Sequence, residues 1–162
     1  ETGKPYAEER LIALSQCNPE LGTDHASLVD AARKIVGDAF MHGENGTMRL
    51  LRRLVVKDRR PVMVGWWNGS HRTSEEVRAE PALDEGHYSV VKQVTRTHVI
   101  LADPWISDDS EEGGAAGDNR IPIKEFLKRW YDMDGAPTKT DPGYHRVRGW
   151  YLCLHGSANM RT

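Results

Sequence analysis

The chain has 162 residues, a formal net charge of −2 and 28% charged residues. This length fits one compact domain that can bury a core without disulfides or metals. The balanced charge gives no global sign of nucleic-acid binding, and no apolar run approaches the ~20 residues of a transmembrane helix. We therefore expect one domain over residues 1–156, a flexible tail over residues 157–162, no nucleic-acid partner and no membrane span.

The cysteines and histidines give no sign of a metal or redox centre. Cys17 and Cys153 are too few for a disulfide framework, and they do not form a C-x-x-C pair. Four histidines have no partner at metal-ligand spacing: His42, His71, His98 and His145. We expect no metal or other cofactor. Nothing in the sequence assigns a compartment.

The first part of the chain has the apolar spacing of helices. This spacing predicts three of them, over residues 6–15, 25–36 and about 48–56. Thr23 or Asp24 can cap the second helix, and Gly37 can end it. Thr47 can open the third helix.

After Pro61 the pattern changes to strands. The apolar run at 62–67 predicts a buried strand, and residues 87–94 and 98–103 predict a β-hairpin. A polar stretch over 68–85 and an acidic, glycine-rich stretch over 108–119 predict loops. A helix over 123–131, which Pro122 can start, and a strand over 149–154 complete the chain. This order predicts an α+β domain, a helical half packed against an antiparallel sheet.

His87 and Asp103 are the residues whose placement suggests chemistry. His87 opens the first strand of the predicted hairpin and Asp103 ends the second, so the two should be cross-strand neighbours at one sheet edge. A carboxylate beside an imidazole fixes its tautomer and stabilises the imidazolium, which is the base half of a nucleophile–His–acid triad. A simple structural His–Asp pair is the alternative.

Two motifs carry a resemblance to a known family. Residues 86–91, GHYSVV, and 99–104, VILADP, resemble the His and Asp strands of the bacteriocin-processing-peptidase-like family of papain-like cysteine peptidases. Further segments are similar in the same order: 6–14, 22–34, 60–66 and 123–131. The resemblance implies a papain-like fold, with N-terminal helices packed on an antiparallel sheet. It also implies that His87 is the general base and Asp103 its orienting group.

The nucleophile of that family has no counterpart in this sequence. There the cysteine begins the first long helix in an Asp-Cys-Gly-Pro-like motif, with a glutamine upstream, and neither motif occurs here. Residues 1–6 resemble the linker that leaves this helix, so we expect the helix to come from a missing N-terminal segment or a partner chain. Cys17 lies where a helix ends, and no helix N-terminus points at its sulfur to activate it. We interpret Cys17 as a packed or surface thiol and Cys153 as a core residue.

Three tryptophans are candidates for substrate binding. Trp66 and Trp67 end a predicted strand near the edge where His87 lies, and Trp105 follows Asp103 after one proline. Ordinary aromatic packing is the alternative for all three.

The sequence leaves three functions open. The first is a cysteine-peptidase-type hydrolase that acts on peptide or related amide bonds, with its nucleophile absent from this chain. The second is a catalytically inactive binding or regulatory module of the same fold, whose partner is a peptide or protein ligand. The third is another thiol chemistry, such as transglutamination or deamidation, because substrate choice depends on loops such as 68–85 and 106–120.

Overall fold

The computed structural model describes residues 7–18, 22–67, 86–103, 117–134 and 145–155. The α-helices of this part are α1 Glu8–Leu14, α2 His25–Val36, α3 Met48–Leu51 and α4 Ile123–Arg129. The strands are β1 Phe40–Gly43, β2 Val62–Trp67, β3 Gly86–Val94, β4 His98–Ala102, β5 Asp118–Pro122, β6 Tyr131–Asp134, β7 His145–Arg148 and β8 Tyr151–Leu154. None of the helices in these ranges has both the length and the apolar character of a membrane span.

The strands form a large antiparallel sheet and a small one. The large sheet has the order β1-β8-β2-β3-β4-β5, and β6 pairs with β7 in a separate ribbon. Every pairing among these strands is antiparallel. The predicted α+β class is therefore confirmed. The helices are not confined to the N-terminal side, because α4 follows β5.

The predicted hairpin is confirmed as β3 and β4. Thr95 closes its turn, because the Thr95 hydroxyl oxygen accepts a hydrogen bond from the His98 N–H at 2.8 Å. The register shifts between Val91 and Gln93, which is a β-bulge in β3. The bulge lies at the turn end of the hairpin, so the regular pairing of β3 with β2 runs through to the end where His87 lies.

The two faces of the large sheet bury different groups. Cross-strand partners share a face, so Trp66 and His87 point to one side while Gly65 and Tyr88 point to the other. The first face carries the larger core, which includes Val64, Leu101 and Phe126 of α4. Helix α2 packs on the second face in a separate cluster, which contains Val29, Ala32, Val147, Trp150 and Leu152.

Helix α2 has both of its predicted ends. The Ser27 N–H donates to Asp24 Oδ1 at 2.6 Å, so Asp24 is the residue that caps the helix. Gly37 follows the last turn with φ +62°, a conformation that favours glycine. These ends place His25 at the first position of the helix.

The third helix differs from its prediction in its second half. Thr47 caps it as expected, accepting a hydrogen bond from the Leu50 N–H at 3.2 Å. After Leu51 the chain continues as a π-helical segment, Arg52–Lys57. The hydrogen bond from the Asp58 N–H to the Arg53 carbonyl, at 2.9 Å, spans five residues as π geometry requires.

Other boundaries also differ from their predictions. The predicted loop over 108–119 is wrong at its end, because Asp118 and Asn119 pair with β4 in β5. The helix predicted to reach residue 131 ends at Arg129, and Tyr131 begins β6 instead. The last strand begins at Tyr151, because Gly149 turns the chain with φ +61°. The predicted loop over 68–85 and the tail over 157–162 lie outside the described residues.

Candidate active site

The candidate site lies where β3 begins and β4 ends. His87 pairs with Trp66 of β2, and Asp103 follows Ala102, the last residue of β4. Because Ala102 lies opposite Val90, Asp103 reaches the level of Ser89, two residues from His87 on the same face of β3. The register therefore brings the histidine and the carboxylate together diagonally across the hairpin.

The contact that the hairpin predicts is confirmed. His87 Nε2 lies 2.6 Å from Asp103 Oδ1, the length of a short, charge-assisted hydrogen bond. His87 is 6% exposed and Asp103 is fully buried. A buried carboxylate is costly unless it is hydrogen-bonded, so this pair fixes both side chains.

Asn119 holds the other oxygen of the same carboxylate. Its side-chain amide donates to Asp103 Oδ2 at 3.1 Å. Asn119 belongs to β5, whose pairing with β4 places it opposite Leu101. Sequence reasoning missed this residue because it assigned Asn119 to a loop. No local sequence pattern marks residues 118–122 as a strand, and their pairing with β4 is visible only in the fold.

The hydrogen bond to Asp103 decides which nitrogen of His87 is basic. A carboxylate only accepts, so a neutral His87 must donate its Nε2 proton to Asp103. The basic nitrogen of the ring is then Nδ1. An imidazolium formed by protonation at Nδ1 is stabilised by the carboxylate on its other side.

Trp66 lies beside this pair as a buried support. It is fully buried, and its indole N–H donates to the Ser89 hydroxyl at 2.9 Å. Its ring centroid is 6.2 Å from that of His87. The Arg129 guanidinium lies over the Trp66 ring, 4.6 Å from its centroid. These are packing contacts, and a substrate-binding role for Trp66 stays a prediction.

Arg129 is a half-buried cation that the sequence did not single out. Its Nε–H donates to the Trp67 carbonyl at 2.9 Å. Burial lowers the pKa of Arg129, while the charges of Glu125, Tyr131 and Asp103 act to raise it. An arginine stays charged at neutral pH despite such a shift. Its positive charge therefore favours the ionised form of Asp103.

Trp67 and Trp105 are the remaining candidates for substrate contact. Trp67 is buried against Tyr131, with the ring centroids 5.9 Å apart. Its indole N–H has no hydrogen-bond acceptor in the part of the chain that the structure describes. Trp67 follows Trp66 in β2, so its side chain lies on the face of the sheet opposite to His87. A substrate-binding role for Trp67 stays a prediction. Trp105 lies outside the described residues.

Neither cysteine of the chain lies beside His87. Cys17 is exposed, next to α1, which packs against α2 on the face of the sheet opposite to His87. Cys153 is fully buried, one residue beyond the pairing of Leu152 with Met63, near the far end of β2 from Trp66. Burial raises the pKa of the Cys153 thiol, with smaller effects from Arg60, which lowers it, and Asp58, which raises it. Both placements agree with the surface and core roles expected of these thiols.

Comparison of the chain with protein-family models, with curated proteins and with solved structures found no match. The resemblance to the bacteriocin-processing-peptidase-like family thus rests on the residues quoted for it. The chemistry of the site rests on the contacts of His87 and Asp103.

Proposed function

We propose that this chain carries the proton-transfer half of a papain-like cysteine hydrolase, which acts on peptide or related amide bonds. The observation that carries the proposal is the buried 2.6 Å contact between His87 Nε2 and Asp103 Oδ1, where β3 begins and β4 ends. Asn119 and Arg129 support it, because both favour an ionised, fixed carboxylate.

In the proposed reaction, Nδ1 of His87 is the general base that a thiol hydrolase requires. It accepts the proton of a cysteine thiol, and the thiolate sulfur attacks the substrate carbonyl carbon. The C–N bond breaks as the imidazolium returns its proton to the leaving amine. Water, deprotonated by the same Nδ1, then cleaves the thioester and regenerates the thiol. Asp103 holds the ring and stabilises its charged form throughout.

The thiol for this reaction must come from outside the two cysteines of the sequence. Cys17 lies on the face of the sheet opposite to His87, and Cys153 is buried near the end of β2 that is far from Trp66. We propose that a further segment of the polypeptide or a partner chain supplies a cysteine next to His87. A thiol in that place is activated by the imidazole, as in other Cys–His pairs.

The distance of both cysteines from His87 also favours one alternative, a binding or regulatory module. Among the described residues, no thiol stands next to His87, and a fold without a nucleophile performs no covalent catalysis. In that alternative the His87–Asp103 pair only stabilises the adjoining ends of β3 and β4. The two functions differ in what they expect of a His87 variant.

Hydrolysis of a peptide library by the native protein, read by mass spectrometry, separates the two functions. His87→Ala and Asp103→Asn should each lower the cleavage rate by about 10²-fold or more, because general acid–base catalysis contributes 10²–10⁴-fold. His98→Ala is the matched control, because His98 lies on the adjacent strand and contacts Thr97 instead. It should cleave at the wild-type rate.

Circular dichroism shows whether each variant remains folded. Equal cleavage by folded His87→Ala and wild-type protein would refute the hydrolase. Absence of cleavage by the wild type, together with retained peptide binding, would favour the binding module.

A further inference from the structure

A second buried His–carboxylate pair lies on the opposite face of the sheet. His25, the first residue of α2, places Nε2 3.4 Å from Oδ2 of Asp132 in β6. The side chains are 6% and 5% exposed. This pair joins α2 to the small β6–β7 ribbon, two elements that are far apart in the sequence.

Aromatic rings fix the imidazole of His25. It stacks on Trp150, with centroids 4.3 Å apart and planes inclined by 7°. Tyr88 meets it edge-on at 5.7 Å, and the Tyr88 hydroxyl donates to the Thr23 carbonyl at 3.0 Å. Tyr88 is the residue after His87, so His25 already contacts the strand that carries the candidate base.

Two glycines make room for the Asp132 carboxylate. A Cβ at Gly65 would lie 3.0 Å from Asp132 Oδ2 and 2.9 Å from His25 Nε2. A Cβ at Gly86 would collide with Asp132 Oδ1. Only residues without a side chain allow so close an approach at both positions. The carboxylate therefore lies directly against the backbones of β2 and β3.

These glycines immediately precede the candidate base His87 and its buried neighbour Trp66. Gly65 leads into Trp66 and Gly86 into His87, and Trp66 and His87 are cross-strand partners. Successive residues of a strand point to opposite faces but share one peptide plane. A shift of the backbone at Gly86 must therefore move His87 relative to Asp103.

We propose that Asp132 and His25 are positioning residues for His87. The buried carboxylate, held by His25, fixes the strand ends at Gly65 and Gly86 and so keeps His87 Nε2 on Asp103. The catalytic role of this positioning rests on the proposed function. The effect of Asp132 and His25 on the position of His87 does not require catalysis. Neither residue touches the reacting atoms.

The test is the imidazole NMR spectrum of His87 in protein labelled with ¹⁵N-histidine. The wild type should show one tautomer, protonated at Nε2, with slow exchange of that proton. Asp132→Asn removes the charge without changing the shape, and should give a tautomer mixture with faster exchange. Gly86→Ala should act in the same direction through the collision with Oδ1. Asp118→Asn is the matched control, because it neutralises an exposed carboxylate whose partner is Lys92, and should leave the His87 signals unchanged.

A second readout connects the pair to activity. In Asp132→Asn the turnover number should fall by about 10²-fold with little change in KM, because small displacements of a catalytic group cost this much. If Asp132→Asn does not fold, His25→Gln gives the same test through the partner residue. Unchanged His87 signals in folded Asp132→Asn or His25→Gln would overturn the positioning role. If the wild type shows no hydrolysis, the proposed function fails, and the spectra still decide the positioning role.

Discussion

Asp103 is held through both of its carboxylate oxygens, one by His87 and one by Asn119. The His87 contact follows from the sequence, because the two ends of a short hairpin must meet. The Asn119 contact does not, because it depends on β5, whose sequence DNRIP has the composition of a loop. Polar residues in an edge strand have a weak local pattern for strand formation. The sequence therefore predicts neither β5 nor the contact of Asn119 with Asp103.

Asn119→Ala tests the second contact. The substitution leaves Asp103 Oδ2 buried without its amide donor, and an unsatisfied buried polar group costs about 1–3 kcal/mol. We expect the free energy of unfolding, measured by urea denaturation, to fall by about this amount. Arg120→Ala, at the adjacent exposed position of β5, should change it by less than about 0.5 kcal/mol. Equal effects of the two substitutions would contradict the role of Asn119.

At the scale of elements, the sequence predicts segments whose own residues decide their structure. Helix α2 has a cap, an apolar stripe and a terminal glycine, and it was predicted with the observed ends. β2, β3 and β4 carry runs of buried apolar residues and were also found. β1, β6 and β7 have four residues each. Strands this short form only because they pair with other segments of the chain. Their own four residues carry too little pattern to predict them.

The Asp24 cap should contribute measurably to the stability of α2. Asp24→Ala removes the hydrogen bond from the Ser27 N–H and should lower the free energy of unfolding by about 0.5–2 kcal/mol. Asp30→Ala is the matched control, because it removes the same charge from an exposed pair with Arg33 on the same helix. An exposed pair of this kind contributes about 0–1 kcal/mol. Thermal or urea unfolding of both variants checks the difference, and a larger loss in Asp30→Ala would argue against the cap.

In the part of the chain that the structure describes, one antiparallel sheet carries two buried His–carboxylate pairs, one on each face. The His87–Asp103 pair lies beside Trp66, and the His25–Asp132 pair lies against the glycines that precede Trp66 and His87. The first pair could be predicted from a single hairpin. The second could not, because it joins α2, β6 and the sheet, and only the tertiary fold brings these elements together. The α+β class was likewise predicted from element order, whereas the papain-like arrangement stays a prediction.

If His87 is the base for a cysteine thiol, the labelling rate of that cysteine must depend on His87. The native protein, isolated from its source, is treated with an epoxide thiol reagent at neutral pH, and each modified cysteine is mapped and timed. Cys153 should label slowly, because burial raises the pKa of its thiol, and Cys17 should label at the rate of an ordinary exposed thiol. We expect a third cysteine, outside these 162 residues, that labels fastest. Its labelling should be slower in His87→Ala but not in His98→Ala. Labelling confined to Cys17 and Cys153, at rates that do not depend on His87, would contradict this role of His87.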